Sequence, residues 1–210
     1  MPLDNVERWV RWIAAAAGIA TLAIALWKGV WRGLHRPRGR TTGAADAVLR
    51  VPIQLALGVL WIGACFILWR SIALVLPTPV RTTALILGAL LTFPGLALYW
   101  WGARTLGRMY KPASALGVQL NAEHRLVTHG PFALVRHPLY LGLQLAALGG
   151  LLVLRTWTLA FVTANFLALV VRARREEEAL AAEFGEEWEA HAQQVRRWTP
   201  RCRRHRRDRL

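Results

Sequence analysis

Apolar residues in this chain do not alternate with polar ones but gather in blocks. Five blocks stand out, at about residues 10–31, 51–76, 82–101, 139–154 and 156–171. The first three approach or exceed the roughly 20 residues that a helix needs to cross bilayer hydrocarbon. The last two hold about 16 residues each and are parted by Arg155 alone. So short a link predicts an antiparallel helical hairpin, because one straight helix of that combined length overshoots any bilayer. Tryptophans sit where interfacial belts belong: Trp9, Trp12, Trp27 and Trp31 around the first block, Trp100 and Trp101 closing the third. Pro94 predicts a kink in the third block, Pro77 and Pro79 end the second, and Arg70 is placed to snorkel. The expected fold is an all-α integral membrane protein with five transmembrane helices, in a single domain over residues 1–210.

Between the apolar blocks lie polar ones, and their charge sets an orientation. Hydrophobic residues make up 55% of the chain, yet its formal net charge is +15. Of the 27 Lys and Arg, 22 fall in residues 28–50, 102–138 and 172–210, leaving only Arg8, Arg11, Arg70, Arg81 and Arg155. The positive-inside rule then puts the N-terminus outside and the C-terminus in the cytoplasm. The same count turns the basic surplus into headgroup and loop charge, so no nucleic-acid partner is expected. Asp4 and Glu7 offset Arg8 and Arg11, and no small-residue cleavage site follows the first block, so it reads as a retained span rather than a signal peptide. Cys65 and Cys202 fall at opposite ends of this topology, and no disulfide is expected. The bias towards Arg, Ala, Gly and Leu suggests a GC-rich bacterial genome, and hence a bacterial inner membrane.

The polar segments are not featureless. Residues 102–138 form a cytoplasmic segment that becomes dense in His, Arg, Gly and Pro from His124 onwards. Residues 172–195 predict a cytoplasmic C-terminal helix: seven of the 12 acidic residues lie between Glu176 and Glu189. Leu180, Phe184, Trp188 and His191 recur on one helical face. Residues 196–210 read as a basic tail ended from the helix by Pro200.

Two polar clusters carry candidate chemistry. His137 precedes Pro138 at the start of the fourth span, where proline suits the first helical turn, with His124, Arg125, Gly130, Arg136 and Tyr140 around it. Arg172 and Glu176 stand four residues apart at the end of the fifth, on one helix face. The hairpin returns that end to His137, so the two clusters converge. Each residue alone has an ordinary reading as a loop histidine, headgroup contact or stop-transfer charge; ionisable groups converging at a membrane boundary argue for a site. No metal is expected, since His124 and His129 lack partner Cys or acidic residues at zinc spacing.

LVTHGPFALVRHPLYLG resembles the signature of the isoprenylcysteine carboxyl methyltransferase and phospholipid methyltransferase superfamily. RARREEEALAAEFGEEWEAH resembles its second signature, Arg-x-x-x-Glu-Glu followed by Phe-Gly and an aromatic-rich helix. The resemblance covers roughly residues 82–200, with both motifs in the family's order. It implies an S-adenosylmethionine-dependent methyltransferase whose cofactor sits in a cytoplasmic pocket capped by the C-terminal helix. By motif match, the cofactor is lined by His124, Leu126, Val127, Gly130 and Phe132, and by His137, Pro138, Leu139 and Tyr140. Gln119 is a further candidate upstream. Glu176 takes the cofactor's ammonium and Arg172 faces a lipid or amphiphilic substrate. The implied catalytic set is Arg172, His137 and Glu177.

Phe132 stands where the family commonly has Tyr, and Trp188 and His191 where it usually shows two tyrosines. A carboxylate acceptor needs no base and pairs with Arg172. An amine acceptor, as in a phospholipid N-methyltransferase, needs one from His137, Glu176 or Glu177. From another class, the NADPH-dependent sterol and enone reductases typically follow His-Pro with Asn-Tyr, whereas Leu139 precedes Tyr140 here. A non-catalytic membrane scaffold, binding no cofactor, is the remaining alternative.

Overall fold

The computed structural model describes residues 3–35, 51–109 and 125–200. Six α-helices are found among the described residues: α1 (Leu3–His35), α2 (Val51–Ile67), α3 (Thr78–Leu106), α4 (Pro138–Leu154), α5 (Trp157–Phe184) and α6 (Glu186–Gln194). Short 3-10 turns cover Gly107–Met109 and Gly130–Ala133.

A glycine seam joins α3 to α4. Gly88, Gly95 and Gly102 recur every seven residues on α3, and Gly142 and Gly149 do so on α4. A Cβ at Gly95 would lie 2.7 Å from both the Ala146 nitrogen and the Gly142 oxygen, and one at Gly149 only 2.5 Å from the Thr92 nitrogen. Backbones that close leave no room for a methyl group. In lipid, where burying apolar surface offers helices little, such close approach is the main source of packing attraction. Pairing Gly88 with Gly149 and Gly95 with Gly142 makes the two helices antiparallel. Pro94 stands inside an unbroken helix beside this seam.

α1 packs across α3 and α4 through Ala14, Leu85 and Val153, with Val10 and Leu154 at the edge of the cluster. At its N-terminal end Glu7, only 2% exposed, is gripped by Arg11, Arg81 and Arg155. Arg81 also meets Asp4, and Arg11 Nε donates to the Val153 carbonyl. These arginines come from α1, the start of α3 and the α4–α5 turn, so one buried carboxylate ties three elements at a single end.

The second apolar block is not one helix. α2 stops at Ile67, and residues 69–77 run without helix, whereas the apolar pattern predicts a span to residue 76. The reason lies in the hairpin turn. Ile72 N–H donates to the Arg155 carbonyl, Trp157 N–H to that of Arg70, and Thr158 N–H to that of Leu68. The extended segment thereby satisfies backbone groups that the turn exposes, including those beside Arg155 in its left-handed conformation (φ 51). Arg70 is thus part of this pairing rather than a snorkelling residue inside a helix.

The C-terminal boundary moves as well. No helix ends near residue 171; α5 continues to Phe184 and breaks at Gly185, whose φ of 49 and ψ of −121 suit only glycine. Among the described residues, three helices are long and apolar enough to cross a membrane: α1 over Leu3–Lys28, α3 and α5. α4 and the described apolar stretch of α2 are shorter. Val59 and Leu60 (69% exposed) and Phe66 (83%) lie open on α2, a surface that suits lipid rather than water.

Candidate active site

At the end away from Glu7, the chain approaches α4 through residues 125–137. Gly130, with φ +62, brings this segment against the end of α3, where its missing Cβ would sit 3.0 Å from Thr105 Oγ1. Pro131 is buried, and the His137 carbonyl caps α4 by accepting from Leu141 N–H. Pro138 then starts the helix without needing an N–H partner.

On α5, Arg172, Ala173, Glu176 and Glu177 present one face to this entry. Arg172 Nε donates to the Tyr140 hydroxyl at 2.8 Å, and that hydroxyl donates to Glu176 Oε2 at 2.8 Å. The i, i+4 pair expected from spacing is therefore joined through Tyr140. Next to it, His137 Nε2 lies 2.9 Å from Glu177 Oε1. The His137 and Tyr140 rings stack at 5.5 Å with planes 5° apart, linking the two arrays. His137, Arg172 and Glu177 are all buried, so the polar cluster is built into the protein rather than solvated.

Electrostatics separates the two glutamates. Burial pushes the Glu177 carboxyl up, but hydrogen bonds from His137 and Arg197 and the charge of Arg136 outweigh it, holding the group at about 2. Glu177 lies beyond the continuous apolar run of α5, which ends at Val171, in the charged part of the helix. It is a fixed anion. Glu176 is half-buried and accepts from a neutral hydroxyl through one oxygen, which leaves it acceptor capacity.

Several predicted residues take other positions. Leu126 and Val127 lie half-buried in the extended approach, and Phe132 is half-buried in the 3-10 turn. The Leu139 side chain packs onto Gly102 of α3, with Pro138 beside it, so Leu139 turns its side chain to the seam. Gln119 and His124 lie outside the described residues. Arg172, Tyr140 and Glu176, and separately His137 and Glu177, are brought together as the hairpin argument requires.

Other contacts went unread in the sequence. Arg197 clasps Glu177 with both Nε and Nη2, and the Trp198 ring lies 5.5 Å from that of His137. Arg136 sits 3.6 Å from Glu177 and over the Trp188 ring, yet its buried Nε has no hydrogen-bond partner among the described residues. His191, beside Trp188, is pushed down by burial and by the charge of Arg136. An Arg-Trp pair just after an amphipathic helix was the available signal for the tail contacts. The run of arginines that follows hid it by making the whole tail look like solvated charge.

Residues 88–182 match the model of the isoprenylcysteine carboxyl methyltransferase family. Two rice proteins, from Oryza sativa subsp. indica and subsp. japonica, are similar; both are named probable protein-S-isoprenylcysteine O-methyltransferase. Each is 33% identical over 98 residues, which cover 46% of this chain and 50% of the relative. The chain thus spans about half the length of the curated relatives it matches. These matches support the isoprenylcysteine carboxyl methyltransferase superfamily for the block of residues 88–182. His137, Tyr140, Arg172, Glu176 and Glu177 all fall inside it.

Proposed function

We propose that this protein is an integral membrane methyltransferase of the isoprenylcysteine carboxyl type, moving a methyl group from S-adenosylmethionine to a lipophilic or amphiphilic acceptor. The observation that carries the reading is the hydrogen-bonded array Arg172–Tyr140–Glu176, inside the family-matched block and beside the buried His137–Glu177 pair. We further propose that this end faces the cytoplasm, with the N-terminus outside, five spans and a bacterial inner membrane as the setting. The gathering of α1's N-terminus, Arg81 and Arg155 at the far end agrees with the grouping of charges that orientation requires.

The residues fit the cofactor. Glu176, a half-buried carboxylate, suits an ammonium, and the half-buried Leu126, Val127 and Phe132 offer apolar lining. S-adenosylmethionine supplies an electrophilic methyl on sulfur, transferred by in-line displacement, where catalysis is mostly positioning and desolvation. The buried Arg172 guanidinium, oriented by Tyr140, suits an acceptor carboxylate, for which a planar fork is the matched partner. Glu177 is occupied by His137 and Arg197 and is a weak base at its depressed pKa. That removes one of the three bases open to an amine acceptor, and the fork of Arg172 is what favours a carboxylate.

Titration calorimetry with S-adenosylmethionine, S-adenosylhomocysteine and NADPH tests the class; the first two should bind, and binding of NADPH alone would overturn it. Radiolabelled methyl transfer to N-acetyl-S-farnesylcysteine and to phosphatidylethanolamine then distinguishes O- from N-methylation. Base-labile label on the former is the expected product.

A further inference from the structure

We infer that residues 195–198 form a strap that positions His137, with Arg197 as the positioning residue that acts through Glu177. Three contacts reach two residues of the approach segment, Arg136 and His137, and a two-pronged pair reaches Glu177 on α5. Arg136 N–H donates to the Arg196 carbonyl at 2.9 Å, and His137 N–H to that of Arg197 at 3.3 Å. Arg197 Nε donates to Glu177 Oε1 at 2.9 Å, while its Nη2 takes Glu177 Oε2 in a two-pronged pair. The Trp198 ring lies beside that of His137, with centroids 5.5 Å apart and planes tilted by 36°.

The chemistry follows from the oxygen that His137 and Arg197 share. Glu177 Oε1 receives Arg197 Nε and lies 2.9 Å from His137 Nε2. An ionised carboxylate only accepts, so Nε2 carries the proton in this pair. In the neutral imidazole the lone pair is then left on Nδ1. The orientation of the carboxylate decides which nitrogen is committed, and Arg197 holds that orientation by engaging both oxygens. Backbone pairing at 136–137 prevents the approach segment from sliding relative to the strap. The C-terminal segment therefore sets the acceptor atom of a residue some 60 positions earlier, rather than merely trailing from α6.

This inference rests on the methyltransferase reading only for its catalytic consequence, not for the positioning itself. The test is nitrogen NMR of the full chain in detergent micelles, labelled at histidine, with the His137 signal assigned by its loss in His137→Asn. Wild type should show a single tautomer protonated at Nε2, and Arg197→Ala a mixture of both. Arg197→Lys, which keeps the charge but not the two-pronged geometry, should show a mixture with the Nε2 form still dominant, and it carries the test if the alanine variant does not fold. An unchanged His137 signal in a folded Arg197 variant overturns the inference, as does a wild type protonated at Nδ1. In parallel, S-adenosylmethionine affinity should fall about tenfold in Arg197→Ala. A wild type with the expected tautomer and no affinity for S-adenosylmethionine or its product sinks the functional reading and leaves the strap standing. A wild type that binds, with an indifferent His137, does the reverse.

Discussion

Glu7 and Glu177 make an instructive pair. Both are buried carboxylates surrounded by cations, at opposite ends of the α3–α4–α5 core. Around Glu7 the partners are Arg11, Arg81 and Arg155, all permanently charged and drawn from elements that need tying together. Around Glu177 one partner is an imidazole, stacked on a tyrosine that bridges an arginine and a second glutamate. A buried charge surrounded by fixed charges can only hold structure. One coupled to a titratable ring and a polarisable hydroxyl can also hold a reactant. Burial and ion-pair count do not separate these roles, but the chemistry of the partners does.

The contrast is easiest to break at Glu7. Glu7→Ala leaves three guanidiniums without their buried counter-ion and should cost about 3–5 kcal/mol of stability. Thermal unfolding in detergent measures it, and folded Glu7→Ala should still bind S-adenosylmethionine like wild type. At the other end the losses are functional. Arg172→Lys should lower kcat/KM tenfold to a hundredfold, about 1.4–2.7 kcal/mol, because a point charge replaces the planar fork. Its cofactor affinity should move less than threefold; a larger shift would assign Arg172 to the cofactor instead. Glu176→Gln keeps the shape and the bond to Tyr140 but removes the charge, so the cofactor Kd should rise about tenfold, close to 1.4 kcal/mol.

Acid probes the same contrast at Glu177. Its carboxyl falls from the ordinary 4.5 to about 2 on folding, so the unfolded chain takes up the proton first as pH drops. The stabilisation is complete above about 4.5 and fades as pH falls towards 2. The gap in unfolding temperature between wild type and Glu177→Gln should therefore narrow from pH 6 to pH 3. A gap that stays constant across that range would mean Glu177 is not held as an anion. Phe132→Tyr, which restores the hydroxyl usual in the family, should change kcat/KM less than threefold, since the ring is only half-buried in the 3-10 turn and the added hydroxyl leaves the backbone there unchanged.

Much of this was legible from residue order. The α4–α5 hairpin followed from two apolar blocks divided by a single Arg155, and Arg172 and Glu176 fell on one face by spacing alone. The meeting of that face with His137 followed from the hairpin. The end of α2 did not, because Ala73, Leu74 and Val75 look like more helix until the exposed backbone of the α4–α5 turn claims residues 68–72. Nor did the Glu7 cluster, whose arginines are separated from it by up to 148 positions along the chain. Side-chain direction was equally hidden: Leu139 sits inside a cofactor-like motif yet packs on Gly102.

Residue order is enough for the helical class, the membrane character and the two motifs that resemble the superfamily's signatures. Each rests on local periodicity, run length or short spacing, and these survive without knowledge of the rest of the chain. Three-dimensional packing settled that Tyr140 bridges Arg172 and Glu176, that Glu177 is a fixed anion, and that Arg197 and Trp198 return to His137. Those outcomes depend on which distant groups share a desolvated space. The energy of a buried charge is set by its neighbours in space, whatever their distance along the chain.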